Sequence, residues 1–96
     1  MGTILAIEDF PNARKPSFLL SIDFGELGIK KSAAQITTLY SKDELKGKHV
    51  VAVVNFPPKQ IANFFSECLV LGVYNETNEV VLLAPGKAVK NGSKIG

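Results

Sequence analysis

Few side chains in this sequence are placed to do chemistry, and each of them has a simpler use. Nucleophilic catalysis by a thiol needs a cysteine with a base beside it. The chain has one cysteine, Cys68, inside the apolar run Cys68-Leu69-Val70-Leu71, and one histidine, His49, in a Lys-Gly-Lys-His-Val context. A free thiol in such a run is an ordinary core residue, and a histidine at the start of a strand reads as a surface group. One Cys and one His cannot furnish a structural zinc site. Asp43 and Glu44 are paired acids, but Ser41-Lys42-Asp43-Glu44 is a helix capping box that already accounts for both. The glycines form no dinucleotide or phosphate-loop signature. No catalytic residue, metal or cofactor is therefore expected, and the chain reads as a protein that is not an enzyme.

Binding chemistry is better represented. From Asn55 to Glu67 two prolines, three phenylalanines and an isoleucine occupy a stretch read as a loop, and a loop seldom buries so much apolar surface by itself. Either it closes over the body of the domain, or it offers an apolar groove or a subunit interface. In the groove reading Phe56, Ile61 and Phe64 form the floor, and Lys59 and Asn63 the polar rim. A second stretch, Lys30 to Thr37, alternates so that Lys31, Ala33 and Gln35 face one way and Lys30, Ser32 and Ala34 the other. Small and polar residues on both faces keep such a strand from being wholly core. A ligand lying along its surface is the natural reading. The nearby aromatics belong mostly to the apolar face of the hairpin, so specific readout of free single strands is not supported.

These segments need a scaffold, and the pattern along the chain supplies one. Thr3–Ile7 is a short apolar strand, and 8–16, with two prolines, is a loop. Phe18, Leu20, Ile22 and Phe24 alternate with Ser21 and Asp23, a half-buried strand. A turn at Gly25–Gly28 returns the chain into a third strand, Ile29–Ile36. The capping box starts a helix of one or two turns, with Gly47 suited to its C′ position. Val50–Val54 predicts a central buried strand, which Pro57-Pro58 ends. Glu67–Tyr74 and Glu79–Ala84 are two further strands about the turn Asn75–Asn78. Val89–Ile95 predicts a short final hairpin with Asn-Gly at its turn. Short strands with one helix between the third and fourth predict an all-β fold, an OB-type five-stranded Greek-key barrel, with a small β-sandwich as the competing topology.

At 96 residues the chain has length for one domain, 1–96. With 46% hydrophobic and 21% charged residues it is expected to fold rather than remain disordered. Its net charge of +2 is too mild to announce a nucleic-acid partner. No apolar run approaches the ~18–20 residues of a membrane helix, so no membrane insertion is expected. The amino terminus lacks a basic start and a cleavage site, and a lone cysteine suits a reducing compartment. The expected setting is the cytoplasm.

Several runs carry a family resemblance that covers almost the whole chain. Pro11-Asn12-Ala13-Arg14-Lys15-Pro16 resembles a loop of the tRNA-binding domain appended to methionyl-tRNA synthetases. Leu45-x-Gly47-Lys48-x-Val50-x-x-Val53-x-Asn55-Phe56-x-Pro58 matches that family's central stretch, and Ser66-Glu67-x-Leu69 falls at its Ser-x-Gly-Met segment. Gly28-Ile29-Lys30-Lys31-Ser32-x-Ala34-Gln35-Ile36-Thr37, Val54-Asn55-Phe56-Pro57-Pro58-Lys59-Gln60-Ile61 and Ser66-Glu67-x-Leu69-Val70-Leu71-Gly72-Val73 resemble the CsaA-type secretion chaperones within it.

The resemblance implies an OB fold, a homodimer and binding of unfolded or preprotein chains on their way to export, with residual affinity for tRNA. Relatives' amino-terminal stretch, which resembles part of the dimer contact, ends in Asp-x-Arg-Val-Gly; Met1-Gly2 correspond to its last two positions. As a peptide binder the chain would use Phe56, Ile61 and Phe64, with Lys30, Lys31, Gln35, Asn55 and Lys59 on the client's backbone or acids. As a tRNA module it would use Lys15, Lys30, Lys31 and Lys59 on phosphates. Ser32 and Ser66 complete the expected contacts, and Glu67 puts an acid where a phosphate backbone would approach.

Overall fold

The alternation of Phe18, Leu20 and Ile22 with Leu19, Ser21 and Asp23 builds the strand on which the main sheet is centred. The computed structural model describes residues 1–11, 16–61 and 64–95. Strand β2 (Phe18–Asp23) lies between β1 (Gly2–Asp9) and β3 (Ile29–Ala34), and β4 (His49–Val50) adds to the far edge of β1, all antiparallel. Cross-strand register aligns Ile4, Ile22 and Lys30 in one row and Ile7, Leu20 and Ser32 in the next. An irregularity between Ile4 and Ala6 shifts the phase of β1 by one residue. It brings Ile4 and Ile7, three positions apart, to the same inner face, which unbroken alternation would forbid.

The sheet curls into a half-barrel around Ile4, Leu20, Ile22, Phe24, Leu45, Val50 and Cys68, each at most 1% exposed. Helix α1 (Lys42–Leu45) is a single turn with the predicted capping box: the Ser41 hydroxyl accepts from the Glu44 amide at 3.2 Å, and the Glu44 carboxylate accepts from the Ser41 amide at 3.1 Å. The turn delivers Leu45 to the core. The chain leaves it through Gly47, whose φ of +84° suits glycine, and the Gly47 amide then donates to the Ile4 carbonyl at 2.8 Å.

Beyond α1 the strands are short. β5 (Ala52–Val53) pairs with β8 (Leu69–Val70), β6 (Lys59–Ile61) with β7 (Phe64–Ser66), and β9 (Gly72–Tyr74) with β10 (Val80–Leu82). Four details differ from the sequence reading. Val50–Val54 is broken at Val51, whose carbonyl turns aside to accept the Leu71 amide at 2.8 Å, and only Val50 is fully buried. The stretch 67–74 breaks at Leu71 for the same reason. Residues 59–66, read as loop, form the β6–β7 hairpin: β5 already ends at Val53, and the prolines at 57–58 do not prevent a new strand from starting at Lys59. Val89–Ile95 forms a turn at Asn91-Gly92 closed by the Ser93 amide on the Lys90 carbonyl at 3.1 Å, and has no strand ladder.

That turn is nevertheless structural. The Gly92 amide donates to the Met1 carbonyl at 2.8 Å, and the Asn91 side-chain oxygen accepts from the Thr3 hydroxyl at 2.8 Å and lies 3.0 Å from His49 Nε2. Gly92 (φ +88°) and Gly25 (φ +65°) interlock: a Cβ on Gly92 would lie 2.5 Å from the Phe24 carbonyl oxygen, and one on Gly25 2.5 Å from that of Asn91. Replacing Gly92 by Ala combines a left-handed backbone with a backbone clash. It is expected to destabilise the fold by about 1–3 kcal/mol, read as a lower urea midpoint at unchanged slope.

Candidate functional site

The β6–β7 hairpin and β3 together form a cleft of about 590 Å³ bounded by Lys31, Pro58, Phe64, Phe65 and Glu67. Alternation along β7 assigns the aromatics opposite tasks. Phe64 is half-buried and packs on Phe10, ring centroids 5.6 Å apart and planes at 59°, while Phe65 faces solvent at 59% exposure. The hairpin register sets Lys59 opposite Ser66 and Gln60 opposite Phe65. Phe56 is half-buried ahead of the two prolines.

The floor of the cleft is fastened to β3 by polar groups. The Glu67 amide donates to the Lys31 carbonyl at 2.7 Å, and the Glu67 carboxylate accepts from the Lys31 amide at 3.0 Å. Both the Ser32 and the Ser66 hydroxyls donate to the Cys68 carbonyl, each at 2.9 Å. These groups form a seam between β3 and the β7–β8 segment. Inside it the Cys68 thiol is fully buried and donates to the Lys31 carbonyl at 3.8 Å. Burial pushes its pKa up to about 11, so it remains a thiol at neutral pH and is a poor nucleophile.

The structure brings together only part of the set picked out in the sequence. Lys31, Phe64 and Glu67 meet in the cleft, and Lys59 stands exposed on the adjoining hairpin. Ser32 and Ser66 are buried at 0% and 6%, and their hydroxyls hold the seam, so they support the cleft without reaching a ligand. Lys30 is half-buried on the inner row opposite Ile22. Gln35 lines a separate groove, and Asn55 a third cleft with Met1, Phe24 and Leu27. Lys15, Asn63 and the side chain of Ile61 lie outside the described residues. Pro58 and Phe65 were missed. Once 59–66 is taken as strands, Phe64 turned inward requires Phe65 turned outward.

The cleft offers an exposed ring, a proline face and one ammonium group, with its carboxylate bonded to backbone. It suits apolar contact with light electrostatic selection. Among the described residues no three His, Cys, Asp or Glu side chains gather as a metal site would need, and no helix is long and apolar enough to cross a membrane.

Comparison with known proteins completes the picture. Residues 1–94 match the family described as "Putative tRNA binding domain". The solved structure of the chaperone CsaA from Bacillus anthracis str. Ames is 54% identical, with a TM-score of 0.93 over 99% of this chain and 86% of that one. That of the CsaA chaperone protein from Picrophilus torridus is 52% identical, with a TM-score of 0.93 over 99% and 87%. A methionine–tRNA ligase from Nanoarchaeum equitans is 35% identical over 95 residues, which are 99% of this chain and 12% of the ligase. The chain thus spans only a small fraction of the length of the curated relatives it matches.

The raised pKa of Cys68 has a consequence for stability. The unfolded thiol ionises near its ordinary value of 9.0 and the folded one near 11. Between those values the unfolded chain has lost a proton that the folded chain keeps, so stability falls as pH rises through this window. Urea unfolding from about pH 8 to about pH 11 is expected to show a steeper decline for the natural chain than for Cys68→Ala, whose lower starting stability does not affect the slope.

Proposed function

The chain belongs to this tRNA-binding domain family and to its CsaA-type branch, and we propose that it is a chaperone whose β6–β7 cleft holds unfolded or preprotein segments destined for export. The observation that carries the reading is Phe65, a large ring left exposed beside Pro58 and the half-buried Phe64. An apolar anchor with one neighbouring cation, Lys31, suits extended chains of varied sequence. Such a site binds weakly and changes little with salt. The relatives matched along most of their length are chaperones, and the ligases contribute only a domain to the match; the chain is a binding protein rather than an enzyme.

The wider reading has residues 1–96 as one domain that completes a five-stranded OB barrel, β8 lying between β5 and β3. The protein acts as a cytoplasmic homodimer. The cleft beside Met1, lined by Leu27, Val53 and Ile95, supports a dimer contact on that side, where relatives' amino-terminal stretch resembles part of theirs. A tRNA module is the second reading, favoured by the family match and by exposed Lys31 and Lys59. Glu67 counts against it, since a carboxylate in the cleft repels a phosphate backbone.

One titration separates the two. A reduced, carboxymethylated protein offered as client is expected to bind with little change between low and physiological salt. Phe65→Ala, at a solvent-facing position, should weaken that binding about 5- to 30-fold at unchanged melting temperature. Equal affinity of the variant removes the cleft from the binding surface. Labelled tRNA is expected to lose affinity steeply as salt rises, by a log–log slope of about 0.7–0.9 per phosphate contact. Micromolar tRNA binding that survives physiological salt would make the tRNA module the leading reading.

A further inference from the structure

Where the seam ends, a groove begins. Lys31 and Ser32 of β3 are bonded to Glu67 and Cys68, but among the described residues no strand pairing joins 33–39 to 69–74. The two stretches diverge and enclose a groove of about 740 Å³, floored by Ala34, Ile36, Val80 and Leu82. One wall is strand β9. Its ladder to β10 aligns Val73 with Val81, and the Asn75 amide on the Glu79 carbonyl at 2.9 Å and the Leu83 amide on the Leu71 carbonyl at 3.2 Å bracket that pair. In an antiparallel ladder alternate residues direct both backbone groups to the partner strand. Val73 is therefore turned to β10, and Gly72 and Tyr74 direct their N–H and C=O groups to the other edge. Both of these residues line the groove.

A two-stranded ribbon is marginal by itself, and an open edge is a template for one more strand. The side chains about this edge are apolar and solvent-facing: Tyr74 is 75% exposed, Leu69 53%, Val73 52% and Leu39 38%. Among the described residues the only charged one in the lining is Glu79, and one of its oxygens is held by the Thr77 hydroxyl at 2.6 Å and the Asn75 side-chain amide at 3.0 Å. The groove combines apolar floor and walls with unsatisfied backbone, which is what an extended polypeptide needs and a nucleic acid does not.

We propose that the groove beyond the seam is a strand-addition site, where an extended, uncharged, apolar segment of client polypeptide pairs with β9 at Gly72 and Tyr74. The class of ligand rests on the chaperone reading, but the site is separate from the hairpin cleft. The two would hold a long client at successive points along β3.

Amide hydrogen exchange on the isotopically labelled full chain tests this. The probes are an uncharged octapeptide of Val, Thr and Ser and the same peptide N-methylated at alternate residues. The parent peptide is expected to slow exchange at Gly72 and Tyr74 by about tenfold or more. The methylated peptide, stripped of donors along one edge, is expected to bind at least about tenfold more weakly. Binding that protects only 59–66, or that is indifferent to methylation, overturns strand addition and leaves the chaperone reading intact. Protection of Gly72 and Tyr74 that grows with protein concentration in the absence of peptide assigns the edge to a second copy of this chain and also overturns it. Failure of any peptide or unfolded client to bind overturns both.

Discussion

The backbone of Lys31 is the point on which the rest of the architecture depends. β3 has a strand neighbour on one side only, and its other edge must find partners. Glu67 supplies both, its amide to the Lys31 carbonyl and its carboxylate to the Lys31 amide. Next to it a single carbonyl, that of Cys68, uses both lone pairs on the hydroxyls of Ser32 and Ser66. These bonds attach β8, and with it β5, to a sheet that would otherwise stop at β3. They also fix where the hairpin stands over β3, and hence the width of the cleft. The acid in the cleft is thereby explained as a structural element whose carboxylate is already hydrogen-bonded to backbone.

Much of this was legible in the sequence because it obeys local rules. The alternation at 18–24 and the capping box at Ser41 each act within a few residues, and each appears as read. What was not legible depends on distant partners. Val51 leaves its strand because Leu71, twenty positions on, donates to its carbonyl. Serine at position 32 suggests an exposed hydroxyl, and only the approach of Cys68, thirty-six positions on, turns it inward. The hairpin at 59–66 was hidden because its two strands are three residues each and follow two prolines. The site inherits the same limits. Residue types marked 55–67 as unusually apolar for a loop, but which ring faces out follows only from register.

Charge is distributed to match an apolar surface of this kind. The ion pair of Lys42 with Asp9, at 2.7 Å, is largely exposed and adds little to stability. Lys48 stands over the ring of Tyr40, whose hydroxyl accepts the Leu82 amide at 3.0 Å. These two cations are thus each matched by an acid or a ring.

The clasp between the Asn91-Gly92 turn and the start of β1 joins groups as far apart as Thr3 and Asn91, 88 positions in sequence. While the chain is still being synthesised, that contact has no partner, and the end of the half-barrel at Phe24 stays unsealed. Contacts of such separation slow folding, because most of the loop-closure entropy is lost before they form. The seal over the core at Phe24 therefore cannot form in a nascent copy until Asn91 and Gly92 have been synthesised.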